Sequence, residues 1–361
     1  MSGSSLLRPS IYWLLAGAPL AWFLEHNGAA APLVFLAAAL ALVPLAHAIV
    51  ESTEGIAEYT GPALGGLLNA TFGNLPELII SFVALRAGLV EMVRASLVGA
   101  VLANTLVGLG VGFFLGGLRT HVQEYNTAGA RTYSTMLLLA AISLGIPAAF
   151  YRFLGSEGPA DVGRTLDITT AAALLVTYVL YLVFIIRTHP EYFRPEGDGA
   201  GHHARPAGSP VKPVAILLAA SVGAAFMSEL LVGAAEATGQ ALGMSDVFLG
   251  MILLAVIGGA AEIGSAIAMA SKNKPDLAVG VAMGSSIQIA LFVTPVLVLA
   301  SLFMAPTPLT LGFNRLEIVA LFLGVLLVSS IASDGRATWF KGIQLATVYL
   351  ILAASIYFLP V

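Results

Sequence analysis

The sequence predicts an all-α polytopic membrane protein with about eleven transmembrane helices: a leading helix followed by two five-helix inverted repeats. Three observations carry this expectation. Hydrophobic residues make up 58% of the 361 residues and charged residues 10%, with a mean hydropathy of +0.93, whereas a soluble domain is about 25% charged. The apolar residues fall into runs of spanning length, which for a helix is about 20 residues. One long polar stretch, Thr188 to Lys212, divides those runs into six and five.

In chain order the runs cover roughly residues 10–25, 31–50, 62–86, 91–116, 133–153, 165–187, 212–241, 246–270, 276–303, 315–333 and 338–359. The first resembles a secretory signal, with Arg8 before it and Ala16-Gly17-Ala18 as a cleavage site. Pro19 follows directly, however, and the apolar run continues to Leu24, which favours an uncleaved helix. The polar stretch holds Pro190, Pro195, Pro206 and Pro210 with Gly197, Gly199, Gly201 and Gly208. That composition cannot build a packed core and reads as a linker. The expected organisation is therefore a tail and leading helix (1–30), a first repeat (31–187), a cytosolic linker (188–212) and a second repeat (213–361).

Five helices is an odd number, so the second repeat enters the membrane reversed. Basic residues set the side. With the N-terminus inside, inner loops carry Arg8, Arg119, Arg131, Arg187, Arg194, Arg205, Lys212, Lys272, Lys274, Arg336 and Lys341. Outer loops carry Arg86, Arg94, Arg152, Arg164 and Arg315, so the count is eleven against five. The expected location is a prokaryotic plasma membrane with a cytosolic N-terminus.

Several classes drop out. Cysteine is absent, which excludes disulfides, thiol catalysis and zinc–thiolate sites. The net charge of −4 carries no basic stripe for nucleic acid. No Ser-Lys, Asp-Asp or His-Glu-x-x-His arrangement is present, so an intramembrane enzyme is a remote alternative and the protein is not expected to be one.

Two carboxylates inside apolar runs carry the functional argument. Glu77 closes Gly73-Asn74-Leu75-Pro76-Glu77, and Glu262 closes Gly258-Gly259-Ala260-Ala261-Glu262, 185 residues later. A carboxylate at the centre of a membrane helix costs about 2.5–3.5 kcal/mol on insertion scales, and such residues are usually functional. Gly99 and Gly284 repeat the same offset, and at a slightly different one Glu54 precedes Gly61 as Glu236 precedes Gly243. Paired sites in two halves point to a cation site between inverted repeats. Asn74 and Glu77, three residues apart, share a helix face, one a neutral oxygen donor and the other an anionic one, as hard cations such as Ca²⁺ require. Pro76 and Gly73 predict a helix break there; a simple packing kink is the plainer reading of Pro76.

Supporting groups are less specific. Ser285, Ser286 and Gln288 place hydroxyls and an amide in an apolar run, with Asn104 at a comparable depth in the first half; they serve either interhelical hydrogen bonds or ion contact. Glu51, Glu54 and Glu58 form either an entry funnel or a solvated helix face. Glu229 and Glu236 are candidate proton relays, and His47 reads as a packed residue.

The stretch from Gly65 to Ile79, with Asn69-Ala70-Thr71-Phe72-Gly73-Asn74-Leu75-Pro76-Glu77 at its heart, resembles the first signature of the calcium/proton exchangers, a family of the cation/Ca²⁺ exchanger superfamily. Gly284-Ser285-Ser286-Ile287-Gln288-Ile289-Ala290-Leu291-Phe292 and Ser228-Glu229 are similar to its second half. The resemblance spans nearly the whole chain. It implies secondary transport of Ca²⁺ against H⁺, with no cofactor and with Ca²⁺ as transported substrate. It implies that Glu77 and Glu262 bind the two ions in turn, while the helices around 31–60 and 212–243 slide as a gating pair. The family's second signature has Asn where this chain has Gly259 and His where it has Ile263, so the second half of the site is expected to lack one oxygen ligand. The linker, with Glu191, Glu196 and Asp198, also lacks the family's dense acidic run.

The residues alone reach a similar mechanism. Two desolvated carboxylates repel each other, so without metal at least one favours its protonated form. A divalent cation cancels both charges, so metal and protons compete for the same oxygens. A Na⁺- or K⁺-coupled exchanger of the same superfamily is the alternative. The orientation is directly testable, because single cysteines are unambiguous in a chain that has none. A cysteine placed in 188–212 should resist an impermeant thiol reagent added to intact cells and react after lysis. Labelling from outside would reverse the topology.

Overall fold

A computed structural model of the chain describes residues 10–60, 62–154, 160–189 and 209–358. Most of the linker, Arg8 and Val361 lie outside the described residues. A 3₁₀ turn, Ile11–Ala16, leads into α1 (Gly17–His26), and then come α2 (Ala31–Thr60), α3 (Pro62–Phe72), α4 (Leu75–Arg86), α5 (Val90–Arg119), α6 (Thr127–Leu154) and α7 (Asp161–Thr188). The second half contains α8 (Val211–Leu242), α9 (Asp246–Gly258), α10 (Ala260–Ser271), α11 (Pro275–Met304), α12 (Arg315–Ala332) and α13 (Trp339–Tyr357). Among the described residues eight helices are long and apolar enough to cross a membrane, or nine if α9 and α10, bent by 59° at Gly259, form one span. The remaining two expected runs are the short helix α1 and the broken pair α3–α4. Each half thus has the same order: one long helix, one broken pair, one long helix and two more.

The loops expected on one side bind one another. Gln123 pairs with Ala337 and Glu124 with Arg336 in a two-residue antiparallel ladder. Gln123 Nε2 also donates to Ala270 O at 2.8 Å, and Arg119 to Ser271 O at 3.1 Å. On the opposite face Arg94 donates to Gly312 O at 2.9 Å, and Leu311 N donates to Asp167 Oδ1 at 3.0 Å. Arg119 and Arg336 therefore stand at one end of the bundle and Arg94 at the other.

Buried apolar side chains form two cores. The smaller joins α1, α2 and α8, with Ile80 of α4 and Leu249 and Leu254 of α9. The larger is built mainly from α5, α6, α7, α11, α12 and α13. Within the larger core, α5 and α11 cross where Ser286 Oγ donates to Val101 O at 3.3 Å, a contact between residues 185 apart. That is the offset relating Glu77 to Glu262. Equivalent residues of two repeats touch each other where a two-fold axis passes, so this bond marks the pseudo-symmetry axis.

The symmetry is broken at the matched glycines. A Cβ built on Gly99 of α5 would overlap the Met251 carbonyl of α9, whereas one built on Gly284 of α11 would meet nothing within 4 Å. The α5–α9 seam is closed, and its counterpart beside α11 is open. Gly99→Ala should therefore lower the thermal midpoint in detergent, with an overpacking cost of about 1–3 kcal/mol. Gly284→Ala should leave the midpoint unchanged.

Candidate functional site

The two signature glutamates occupy the same position in the same local structure. α3 ends at Phe72, Asn74 adopts φ −101° and ψ 26°, and α4 starts at Leu75, so Glu77 is its third residue. α9 ends at Gly258, Gly259 adopts φ −81° and ψ 13°, and Glu262 is the third residue of α10. Pro76 sits in the first turn of α4, where its missing N–H costs nothing; it starts a helix here rather than kinking one. Both carboxylates lie near the positive ends of helix dipoles, which favour anionic groups.

Both are deeply buried, Glu77 with 6% and Glu262 with 5% of their surface exposed, and each is within electrostatic range of the other. Asn74 and Asn104 are fully buried beside them. Asn74 Nδ2 donates to Gln288 Oε1, joining the first break to α11. Among the described residues eleven buried side-chain nitrogens and oxygens lack a hydrogen-bond partner, and seven belong to this cluster: Asn74 Oδ1, both Glu77 oxygens, both polar atoms of Asn104 and both Glu262 oxygens. Native proteins pair nearly all such groups, so this concentration of oxygen donors suits a cation that takes oxygen ligands. Among the described residues no three acidic, histidine or cysteine side chains converge on a metal-sized site. The charge here is that of two carboxylates, and the remaining donors are amides.

Glycines make the approach possible. A Cβ on Gly258 would lie 3.2 Å from Glu77 Cγ. On Gly259 it would lie 2.9 Å from Asn104 Oδ1 and 3.7 Å from Glu77 Oε1. The oxygen that the sequence pattern lacks at Gly259 thus has a neighbour from another helix: the Asn104 amide stands against that bare backbone. Asn104 is the second residue of a π-type segment, Ala103–Leu109, and Gln288 directly precedes another, Ile289–Val293. Such segments rotate side chains off the regular helical face and recur at functional sites.

The other expected residues separate. Ser285 and Gln288 line a cavity of about 240 Å³ together with Gly73, Glu262, Ser265 and Glu54. Ser286 is spent on hydrogen bonds to Ala282 O and Val101 O, the interhelical alternative. Glu229 and Glu236 are exposed on α8, apart from the cluster. His47 lies 4.0 Å from Glu51, which accepts a hydrogen bond from Tyr12 at 2.8 Å.

Sequence reasoning passed over Asp276 and Tyr133, which line the same cavity. A signal existed for Asp276: it is the second residue of α11, as Glu91 is of α5, at the 185-residue offset. Another lay in Ala-Glu-x-Thr-Gly-x-Ala-Leu-Gly, found at 57–65 and again at 235–243, which matches Glu58 with Glu236.

Known proteins match along the whole chain. The family model described as sodium/calcium exchanger protein matches residues 30–187 and 212–358. A Ca(2+)/H(+) antiporter of Aphanothece halophytica is 40% identical over 341 residues, covering 91% of each chain. The Ca(2+)/H(+) antiporter ChaA of Bacillus subtilis (strain 168) is 38% identical over 353 residues, covering 97% of this chain and 99% of its own. The solved structure of native YfkE has a TM-score of 0.83 at 36% identity, covering 97% of this chain and 100% of that one. The H+/Ca2+ exchanger CAX shares the fold at 16% identity, with a TM-score of 0.69 over 96% of this chain and 91% of that one.

The glycine contacts make a testable statement about position 259. Gly259→Asn should displace Asn104 and lower both thermal stability and transport, and adding Asn104→Gly should recover part of the stability. Tighter Ca²⁺ dependence in the single variant, with stability kept, would restore the missing-ligand reading.

Proposed function

The chain belongs to the sodium/calcium exchanger protein family, and on that premise we propose that it is a Ca²⁺/H⁺ antiporter working by alternating access at the Glu77–Glu262 site. Members of this family are transporters and not enzymes, and they need no cofactor, because Ca²⁺ is the transported substrate. The observation that carries the proposal is the pairing itself. Two buried carboxylates, each third in a helix after a break, come from two repeats and lack hydrogen-bond partners among the described residues.

The chemistry follows from charge. The pair carries −2 when ionised, and one Ca²⁺ or two protons bring it to neutrality. Moving an uncompensated charge through an apolar interior is expensive, so the neutral forms reorient and the empty ionised form does not. Exchange is then obligatory, because the site leaves each side carrying one ion or the other. Asn74 and Asn104 supply neutral oxygens that bind a cation without adding charge, and Gln288 holds Asn74 in place. Ser285 and Gly73 border the ion's path, and Gly258 gives Glu77 room.

The two apolar cores supply the moving parts in this reading. α2 and α8 slide with α1 past the larger core, and α4 and α10, which carry the glutamates, lie along the seam. The open seam beside α11 leads from the Lys272–Lys274 face, so with basic loops inside, this conformation faces the cytosol. Glu54 borders its entrance. Glu229 and Glu236 serve as relays in this reading only if the outward-facing form carries them to the site.

Two measurements test the proposal together. Proteoliposomes loaded at acidic pH and diluted into alkaline buffer should take up ⁴⁵Ca²⁺ without Na⁺, and collapsing the pH gradient should stop uptake. Glu77→Gln or Glu262→Gln should each lower the rate at least a hundredfold while the protein stays folded. Uptake that needs Na⁺ and ignores the pH gradient would move the chain to the sodium- or potassium-coupled class.

A further inference from the structure

We infer that Asp276 is a cation-recruiting carboxylate at the mouth of the cavity, capturing the divalent ion before it reaches Glu262 and so setting the apparent affinity from that side. The inference deepens the antiporter reading and rests on it. One face of α11 forms the cavity wall: Asp276, Gly280, Gly284, Ser285 and Gln288 all line it. From Asp276 to Gln288 is twelve residues, about 18 Å of helix, so a carboxylate stands at one end of the wall and the buried cluster at the other. Between them Gly280 and Gly284 add no side chain to the wall, which Leu277 and Val281 also line. A Cβ on Gly284 would meet nothing within 4 Å, and one on Gly280 only the Tyr133 hydroxyl at 3.6 Å. At the inner end the Glu262 carboxylate, 5% exposed and without a hydrogen-bond partner among the described residues, lines the same cavity. That is what makes the wall a route to a ligand and not merely a charged surface.

Asp276 is held in place for the task. Its Oδ1 accepts a hydrogen bond from Asn126 N at 2.7 Å, in the loop before α6. Glu54 of α2 borders the same cavity, Lys272 and Lys274 lie in the preceding loop, and Asp334 shares with Asp276 the surroundings of Tyr125. Among the described residues no lysine or arginine forms an ion pair with Asp276, whereas its repeat counterpart Glu91 has the Arg94 guanidinium 3.7 Å away. Arg94 is itself anchored to Gly312 O and Thr310 Oγ1. The position matching Arg94 in the second repeat is Val279, which is buried and uncharged. The two mouths therefore differ: one presents a bare carboxylate and the other a carboxylate offset by arginine. The charged residues lining the cavity are Glu54, Asp276 and Glu262, and a cleft lined by one sign of charge raises the local concentration of a counter-ion roughly tenfold or more, while added salt screens it.

The test is Asp276→Asn, which keeps an oxygen to accept from Asn126 N and removes the charge. At low ionic strength the half-saturating Ca²⁺ on the Lys272–Lys274 side should rise roughly tenfold, with the maximal rate and thermal midpoint kept. The difference should shrink as choline chloride is raised, and Asp276→Glu should restore affinity. Unchanged half-saturation would overturn the inference. So would a fall in maximal rate or thermal midpoint without an affinity change, or a loss that Glu does not repair. Glu262→Gln run in parallel keeps the two ideas apart. If that variant still exchanges, the antiporter site itself is wrong; if it is inactive while Asp276→Asn behaves as wild type, only the recruiting role fails.

Discussion

Two carboxylates in an apolar interior have to be neutralised by something, and much of this structure is arranged so that, among the described residues, no side chain does it. Among the described residues Glu77 and Glu262 have neither a hydrogen-bond donor nor an ion-pair partner. Breaking a buried ion pair by removing one partner typically costs 3–5 kcal/mol. In the proposed cycle the missing partner comes from outside, as protons or as metal. The amides around the pair are chosen consistently with that need. Asn74 and Asn104 offer oxygen without charge, and the Asn74–Gln288 bond fixes geometry without neutralising either acid.

The helix breaks follow from the same constraint. An unbroken helix would run past the midplane with its backbone fully paired. Ending α3 at Phe72 and bending the chain at Gly259 by 59° puts each glutamate in the first turn of a new helix. The bare backbone at Gly258 and Gly259 then lets Glu77 and Asn104 approach from the other repeat. The Ser286–Val101 contact lies on the axis relating the two halves, so the site forms where the repeats meet. The departure from symmetry is equally informative. Gly99 is sealed against Met251 while Gly284 faces open space, which is what one conformer of a two-state inverted repeat should record.

Much of the architecture was legible because membrane burial writes itself into composition. The apolar runs, the single Pro- and Gly-rich interruption and the basic loops all follow from the bilayer as solvent, and Glu77 and Glu262 stand out in it as charges that do not belong. The break at Gly73–Asn74 was legible from Gly and Pro chemistry; the matching bend at Gly259 was less so, because Gly259-Ala260-Ala261 has no proline. What pattern reading could not reach was anything assembled from distant helices. Asn104 beside Gly259, Gln288 against Asn74 and Asp276 with Tyr133 on the cavity wall depend on packing between α4, α5, α6, α10 and α11. A single strand of sequence encodes that packing only through the spacing of small residues. Ser286, which reads equally well as an ion ligand, is an interhelical bond because its neighbour Val101 lies on the axis.

The central claim is that Ca²⁺ and protons compete for one pair of carboxylates. Calorimetric titration of the purified protein with Ca²⁺, repeated in buffers of different ionisation enthalpy, counts the protons released per ion bound. The account predicts a release that rises toward two as the pH is lowered, with apparent affinity weakening in step. Ca²⁺ binding that releases no protons at any pH, with an affinity indifferent to pH, would contradict it.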